Sequence, residues 1–212
     1  MKEEHTKENV RELILKTALE QFTKNGIKDV KMDDIASMLS VSKRTIYEHF
    51  KDKEQLLVEA LQLHNEIMRK KGKEIIRHSK DILKIILKLY DLYIKTLSST
   101  NRKFFSDIKK YPELCKKKTH DDNKNFKSFI TWLEEGRRQG LFREDANFEI
   151  FSITLTRNLE TIFMTNLNAG DDELSKHSPQ ELGRMIIVFY LRGISTLKGQ
   201  EIIEEYLKEN NI

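Results

Sequence analysis

Two prolines and eight glycines in 212 residues leave few of the breakers that sandwiches and barrels use at their many turns, and little for glycine-rich phosphate loops. The single cysteine, Cys115, excludes an intramolecular disulfide framework. Long apolar runs are missing as well. The most apolar stretch, residues 82–97, is interrupted by Lys84, Lys88, Asp91 and Lys95, so nothing reads as a bilayer span. The N-terminal MKEEHTKENV lacks the apolar region of a secretory signal. These absences predict an all-α chain in a reducing, cytoplasmic setting, away from membranes. An excess of one charge is also lacking. Lys+Arg 38 against Asp+Glu 34 gives a formal net charge of +4, too small a bias to mark a nucleic-acid binder by itself.

What is present is helical periodicity. Val10, Leu13, Ile14, Thr17, Ala18 and Phe22 form a first stripe, stopped at Asn25-Gly26. Met32, Ile35, Ala36 and Leu39 mark a very short second helix, with Asp33 and Asp34 complementing its dipole. Ser42 is the expected N-cap of another short helix over residues 43–50. Asp52 with Gln55 resembles a capping box that opens a longer helix through Leu56, Leu57, Ala60 and Leu61, expected to break or kink near Gly72 and residues 77–80. Ser79 is the expected cap of a helix carrying Ile82, Ile85, Ile86, Leu89, Leu92, Tyr93 and Leu97. A short helix over residues 103–110 should end before Tyr111-Pro112, and the next should be loosened around residues 120–125 before Phe126, Phe129, Ile130 and Leu133. Two strongly apolar helices follow. One carries Phe148, Phe151, Leu155, Leu159, Ile162 and Phe163; the other opens at Ser178-Pro179-Gln180-Glu181. A short acidic helix near residues 201–208 closes the chain.

The two helices at residues 33–39 and 43–50 are too short to stand alone and must pack on the first helix. A tight helical pair on a third helix is a helix-turn-helix, whose second helix enters the DNA major groove. Lys43, Arg44 and Thr45 sit at the exposed start of that second helix, where side chains reach base edges or phosphates. Tyr47 and His49 offer donors toward a backbone, and Lys53 lies in the next helix's first turn.

Residues 30–57, VKMDDIASMLSVSKRTIYEHFKDKEQLL, resemble the DNA-binding signature of TetR-family transcriptional regulators. The resemblance rests on Asp34-Ile35-Ala36, Val41-Ser42, Thr45-Ile46-Tyr47, His49-Phe50 and Lys53-Glu54-Gln55-Leu56, and extends to Glu135-Gly136 and Gly140-Leu141-Phe142-Arg143. It implies an N-terminal three-helix DNA-binding domain (residues 1–54) and a C-terminal helical bundle for effector binding and dimerisation (residues 55–212). It also implies that Lys31, Ser42, Lys43, Arg44, Thr45, Tyr47, His49 and Lys53 serve double-stranded, pseudo-palindromic operator DNA. Two positions depart from the pattern. Lys31 stands where the family commonly has a capping threonine, and Ser40 where it often has glycine in the turn.

The charge distribution qualifies this reading. Residues 1–54 hold eleven basic and eleven acidic residues, so the basic ones must be sorted onto one face, with Glu8, Glu12 and Glu20 elsewhere. Residues 81–140 carry fourteen basic against eight acidic residues, an excess that is a solvated face or an attraction for an anionic effector. The run Cys115…His120-Asp121-Asp122 matches no strong ligand spacing, so no metal or other cofactor is expected. No nucleophile elbow, phosphate loop or histidine–carboxylate pattern points to an enzyme.

The second domain is expected to enclose an unknown small-molecule effector in a cavity lined by Phe104, Phe105, Ile108, Phe129, Trp132, Leu133, Leu159 and Phe163. The last two large helices, with Gly183 and Gly193 permitting close approach, are expected to form a homodimer four-helix interface. The resulting function is a ligand-responsive, sequence-specific regulator, a repressor by the resemblance. A helical ligand-binding or protein-interaction dimer without DNA binding stays open as the alternative.

Overall fold

The computed structural model describes residues 2–164 and 176–210; the side chains of residues 2–8, 113 and 115–124 lie outside that description. The described residues form α-helices, with no strand beyond an isolated antiparallel bridge between Phe142 and Ser195. The chain is all-α. It divides into two compact units, one comprising Met1–Lys71 and Ser99–Cys115, the other Gly72–Ser98 and Lys116–Ile212.

The first unit is built on α1 (Lys2–Asn25). Its inner stripe is Ile14, Leu15, Ala18 and Phe22, all buried, while Leu13 is half exposed. The buried face is therefore rotated by about one residue from the sequence expectation. Gly26, at φ +90°, ends the helix, and its amide donates to the Phe22 carbonyl at 2.9 Å. Two seven-residue helices follow, α2 (Met32–Met38) and α3 (Lys43–His49). Ile35, Ala36, Ile46 and Phe50 are buried in one cluster with Ile14, Ala18 and Phe22, and Leu39 and Val41 pack against it. This three-helix packing is what the sequence demands of helices too short to persist alone.

The turn between α2 and α3 explains the serine at position 40. Val41 N–H donates to Ala36 O at 3.0 Å and Ser40 N–H to Ser37 O at 3.1 Å, the paired bonds of a Schellman cap. That cap needs a left-handed residue, and Ser40 takes φ +55°. A residue with a Cβ takes that conformation only at some cost.

The α4 helix (Lys53–Arg77) begins where expected. Asp52 Oδ1 accepts the Gln55 amide at 2.8 Å, while the Gln55 side chain accepts the Lys51 amide rather than that of Asp52. The helix runs through Gly72 without interruption, and the break falls after Arg77. The α6 helix (Arg102–Ile108) also belongs to the first unit. Asn101 ties it to the end of α1: its amide donates to Thr23 O at 2.7 Å, its Nδ2 to Lys24 O at 3.0 Å, and its Oδ1 caps Lys103 N at 2.9 Å. Asp107 then accepts the Lys28 amide at 2.7 Å. Burial opposes ionisation of this carboxyl, but the Lys28 amide, the Lys110 ammonium and the Ile27 amide outweigh it and hold Asp107 below the usual carboxylate range.

The second unit contains α5 (Ile82–Ser98), most of α7 (Pro112–Arg138), α8 (Phe148–Met164), α9 (Pro179–Ile194) and α10 (Leu197–Glu209). Asp81, not Ser79, caps α5: its Oδ1 accepts the amides of Leu83 at 2.9 Å and Lys84 at 3.1 Å. The α7 helix is continuous through residues 120–125, where loosening is expected from sequence. Ser178 caps α9 by accepting the Glu181 amide at 3.1 Å, with Pro179 in its first turn. A polar network joins three helices. Arg184 Nε donates to Asp91 Oδ1 at 3.0 Å, and the Tyr206 hydroxyl donates to Asp91 Oδ2.

Gly183 admits the Phe163 ring of the same protomer, because a Cβ there would lie 3.0 Å from it; Gly193 faces open space. Exposed apolar side chains remain on α8 and α9: Ile150 at 61%, Ile153 at 53%, Met185 at 45% and Phe189 at 58%. No helix among the described residues is long and apolar enough to cross a membrane.

Candidate nucleic-acid interface

The polar surface of the first unit is built on α2, the Ser40 turn and α3. Ser42 starts α3, its Oγ accepting the Thr45 amide at 3.0 Å and meeting the Thr45 hydroxyl at 2.8 Å. Both hydroxyls are thus engaged locally, and Thr45 is only partly exposed. Lys43 and Arg44 project from the same first turn and are exposed; the Arg44 side chain is 89% accessible. Ile46, one residue beyond Thr45, is fully buried and anchors the helix to the core. A buried anchor therefore presents an exposed cationic edge, the arrangement that base and phosphate contacts require.

Both cations carry carboxylate partners. Lys43 Nζ lies 2.8 Å from Asp33 Oδ1 and 2.9 Å from Oδ2, and this hydrogen-bonded pairing raises the ammonium above its ordinary range. Arg44 Nε donates to Glu48 Oε1 at 3.1 Å. Glu12 pairs with Lys16 away from α3. Sorting of charge in the neutral head is thus incomplete: Asp33 and Glu48 stay among the basic residues. Both pairs are exposed, where such contacts are worth little and exchange readily for phosphate.

Lys31 is the N-cap residue of α2 in extended conformation. A lysine cannot accept the capping bond, and only the reciprocal half of the box forms, the Lys31 amide donating to Asp34 Oδ2 at 2.7 Å. Its side chain is exposed. Tyr47 is 45% exposed, and His49 is half-buried beside the Phe50 ring. Lys53 is placed differently. Its Nζ donates to the Lys28 carbonyl at 3.3 Å and lies 5.9 Å from the Phe22 ring centre. Burial lowers its pKa against the opposing pull of Asp107, Asp29 and Asp34. Lys53 thus braces the loop before α2 in the free protein.

The expected effector residues do not converge on one cavity. Phe104 is buried in the hydrophobic core of the first unit, with Phe105 and Ile108 packed against it. Their sequence signal, aromatics at helical spacing, belongs to the packing of α6 on α1. Leu133, Leu159 and Phe163 are buried in the second unit. Phe129 and Trp132 do line a cavity there, together with Ile86, Leu89, Tyr90 and Tyr93. Sequence reasoning passed over Tyr90, although its spacing from Ile86 and Tyr93 already puts all three on one face of α5. Among the described residues no group of three or more His, Cys, Asp or Glu could hold a metal ion. The side chains of Cys115, His120, Asp121 and Asp122 are outside that description.

The architecture and the α2–turn–α3 surface define a helix-turn-helix protein. Residues 14–60 match the family profile of bacterial regulatory proteins, tetR family. That match covers α2, the Ser40 turn and α3 and identifies residues 14–60 as a tetR-type N-terminal domain. Solved structures share the fold along most of the chain. The ketosteroid transcriptional regulator of Mycobacterium tuberculosis is 17% identical, with a TM-score of 0.62 over 88% of this chain and 95% of that one. A TetR family transcriptional regulator from Thermus thermophilus is 21% identical, with a TM-score of 0.62 over 84% and 97%. A protein from Saccharomonospora viridis, solved in complex with choline, is 19% identical, with a TM-score of 0.75 over 89% and 99%. No curated protein sequence matches the chain.

Proposed function

We propose that this chain is a homodimeric, sequence-specific DNA-binding transcriptional regulator, a cytoplasmic repressor released from its operator by a small molecule. The observation that carries the reading is the exposed, cationic first turn of α3, held by the buried Ile46 on a three-helix core. Lys43, Arg44 and Thr45 address base edges and nearby phosphates, and Lys31, Tyr47 and His49 the backbone. Ser42 acts through its cap. Lys53 reaches a phosphate only by leaving the Lys28 carbonyl.

Dimerisation is supported by the apolar side chains left exposed on α8 and α9, two helices that pack on each other, since clustered exposed apolar residues mark interfaces. Two copies then read two halves of a pseudo-palindromic operator. An effector bound in the second unit alters the spacing of the two recognition helices, and effector and operator oppose each other reciprocally.

Electrophoretic mobility shift of genomic fragments at two salt concentrations tests the reading. A regulator gives a sequence-selective shift that weakens with salt, moderately because few phosphates are neutralised. A dimer without DNA binding gives no selective shift at either concentration.

A further inference from the structure

The cavity in the second unit is unusual in what it excludes. Among the described residues its lining is Ile86, Leu89, Tyr90, Tyr93, Phe129 and Trp132, four aromatic and two aliphatic residues with no lysine, arginine, histidine or carboxylate. The rings are set against one another: Tyr90 and Phe129 meet edge to face, with centroids 5.6 Å apart, and Phe129 rests on Phe151 at 6.3 Å. The volume is about 150 Å³. A cavity of about that size holds a single benzene-sized ring, and it opens to solvent beside Tyr93, which is 40% exposed.

Two polar groups belong to the lining without a hydrogen-bond partner among the described residues, the Tyr90 hydroxyl and the Trp132 indole N–H. Indole nitrogen only donates, and a phenol donates or accepts, so the complementary ligand brings an acceptor. Burial keeps the Tyr90 hydroxyl protonated by raising its pKa well above the ordinary value.

Charge decides the class. An anion placed here loses its hydration and meets no cation in the lining. A quaternary ammonium ion would find aromatic faces, but it brings no acceptor for the Trp132 indole N–H or the Tyr90 hydroxyl and leaves both without a partner. We propose that this cavity is the effector site and that its ligand is an uncharged single-ring aromatic molecule bearing a hydrogen-bond acceptor such as a carbonyl. The proposal rests on the effector reading above and narrows it to a chemical class.

Trp132 is the only tryptophan, so intrinsic fluorescence of the full chain reports directly on the cavity. Three probes share one ring and differ in charge: acetophenone, benzoate and phenyltrimethylammonium. Fluorescence titration is paired with calorimetry to separate binding from collisional quenching. Acetophenone saturates, binding at least about tenfold tighter than either ion, a gap set by the charge left unpaired. Tyr90→Phe and Leu89→Phe each weaken acetophenone several-fold, roughly the loss of one neutral hydrogen bond or of some cavity space, while thermal unfolding of Tyr90→Phe stays unchanged. Phenyltrimethylammonium binding as tightly as acetophenone overturns the ligand class. Absence of saturation with all three probes overturns the site, and acetophenone affinity unchanged in both variants overturns its location. Operator affinity is measured separately. Acetophenone that saturates the cavity and leaves operator affinity unchanged contradicts the effector reading while the ligand class stands.

Discussion

Ser40 shows how a single side chain records the cost of a turn. Its φ of +55° is imposed by the Schellman bonds that end α2, and a residue with a Cβ pays about 1–2 kcal/mol there. Ser40→Gly should therefore raise stability by about 0.5–1 kcal/mol after the added freedom of the unfolded glycine is subtracted. A higher denaturant midpoint with unchanged slope is the expected result; a lower midpoint contradicts the strain. His64, half-buried in α4, gives a pH signature. Burial, reinforced by Lys71, lowers its pKa below 6.5 in the folded chain. The unfolded chain then binds the proton first as pH falls, so stability present above pH 6.5 declines below it. Thermal unfolding of wild type and His64→Gln should diverge only on that acid side; parallel curves would remove His64 from the account.

The same scale shows where sequence reading stops. Ser42 and Ser178 are legible as caps because their bonds are local, three residues along the chain. The choice between Ser79 and Asp81 turns on the path of the backbone into α5, and both residue types make good caps. Lys53 reads as a phosphate ligand from its position in a first turn, yet its partner, the Lys28 carbonyl, is 25 residues away in sequence and carries no local signal.

At the level of elements, helix type and order are legible from the 3.6-residue period, and the α2–α3 pair from its brevity. The partner of α6 is not. Its aromatics mark a buried face without saying which helix it faces, and they pack in the core with α1. Asp107 fixes that choice by binding the Lys28 amide. Asp107→Ala leaves this part-buried amide unpaired and should cost about 1–3 kcal/mol. Chemical denaturation measures the loss; a change below about 0.5 kcal/mol would mean that the loop reaches water freely. For the effector residues, Phe129 and Trp132 share a cavity, whereas Phe104 and Phe105 do not, because aromatic content alone cannot separate a filled core from a hollow one.

For the molecule as a whole, the net charge of +4 is a poor guide to function, because the head is neutral and its useful cations are a few residues on one short helix. Shape carries more. Ile150, Ile153, Met185 and Phe189 are exposed on α8 and α9, and on the proposed function a second copy covers them. Ile153→Lys combined with Phe189→Lys should convert the dimer to monomer in analytical ultracentrifugation and weaken operator binding, since one head reads one half-site. A double variant that sediments as a dimer would place the interface elsewhere.

On the function proposed above, the first turn of α3 reads DNA. Once a selectively shifted fragment is in hand, its equilibrium titration at fixed salt with wild type and with Lys43→Ala, Arg44→Ala is the most direct test. Two contacts of about 1–3 kcal/mol each predict a loss of roughly thirtyfold or more, with sedimentation and thermal unfolding unchanged. Operator affinity within about threefold of wild type, in a variant that stays folded and dimeric, would contradict the claim.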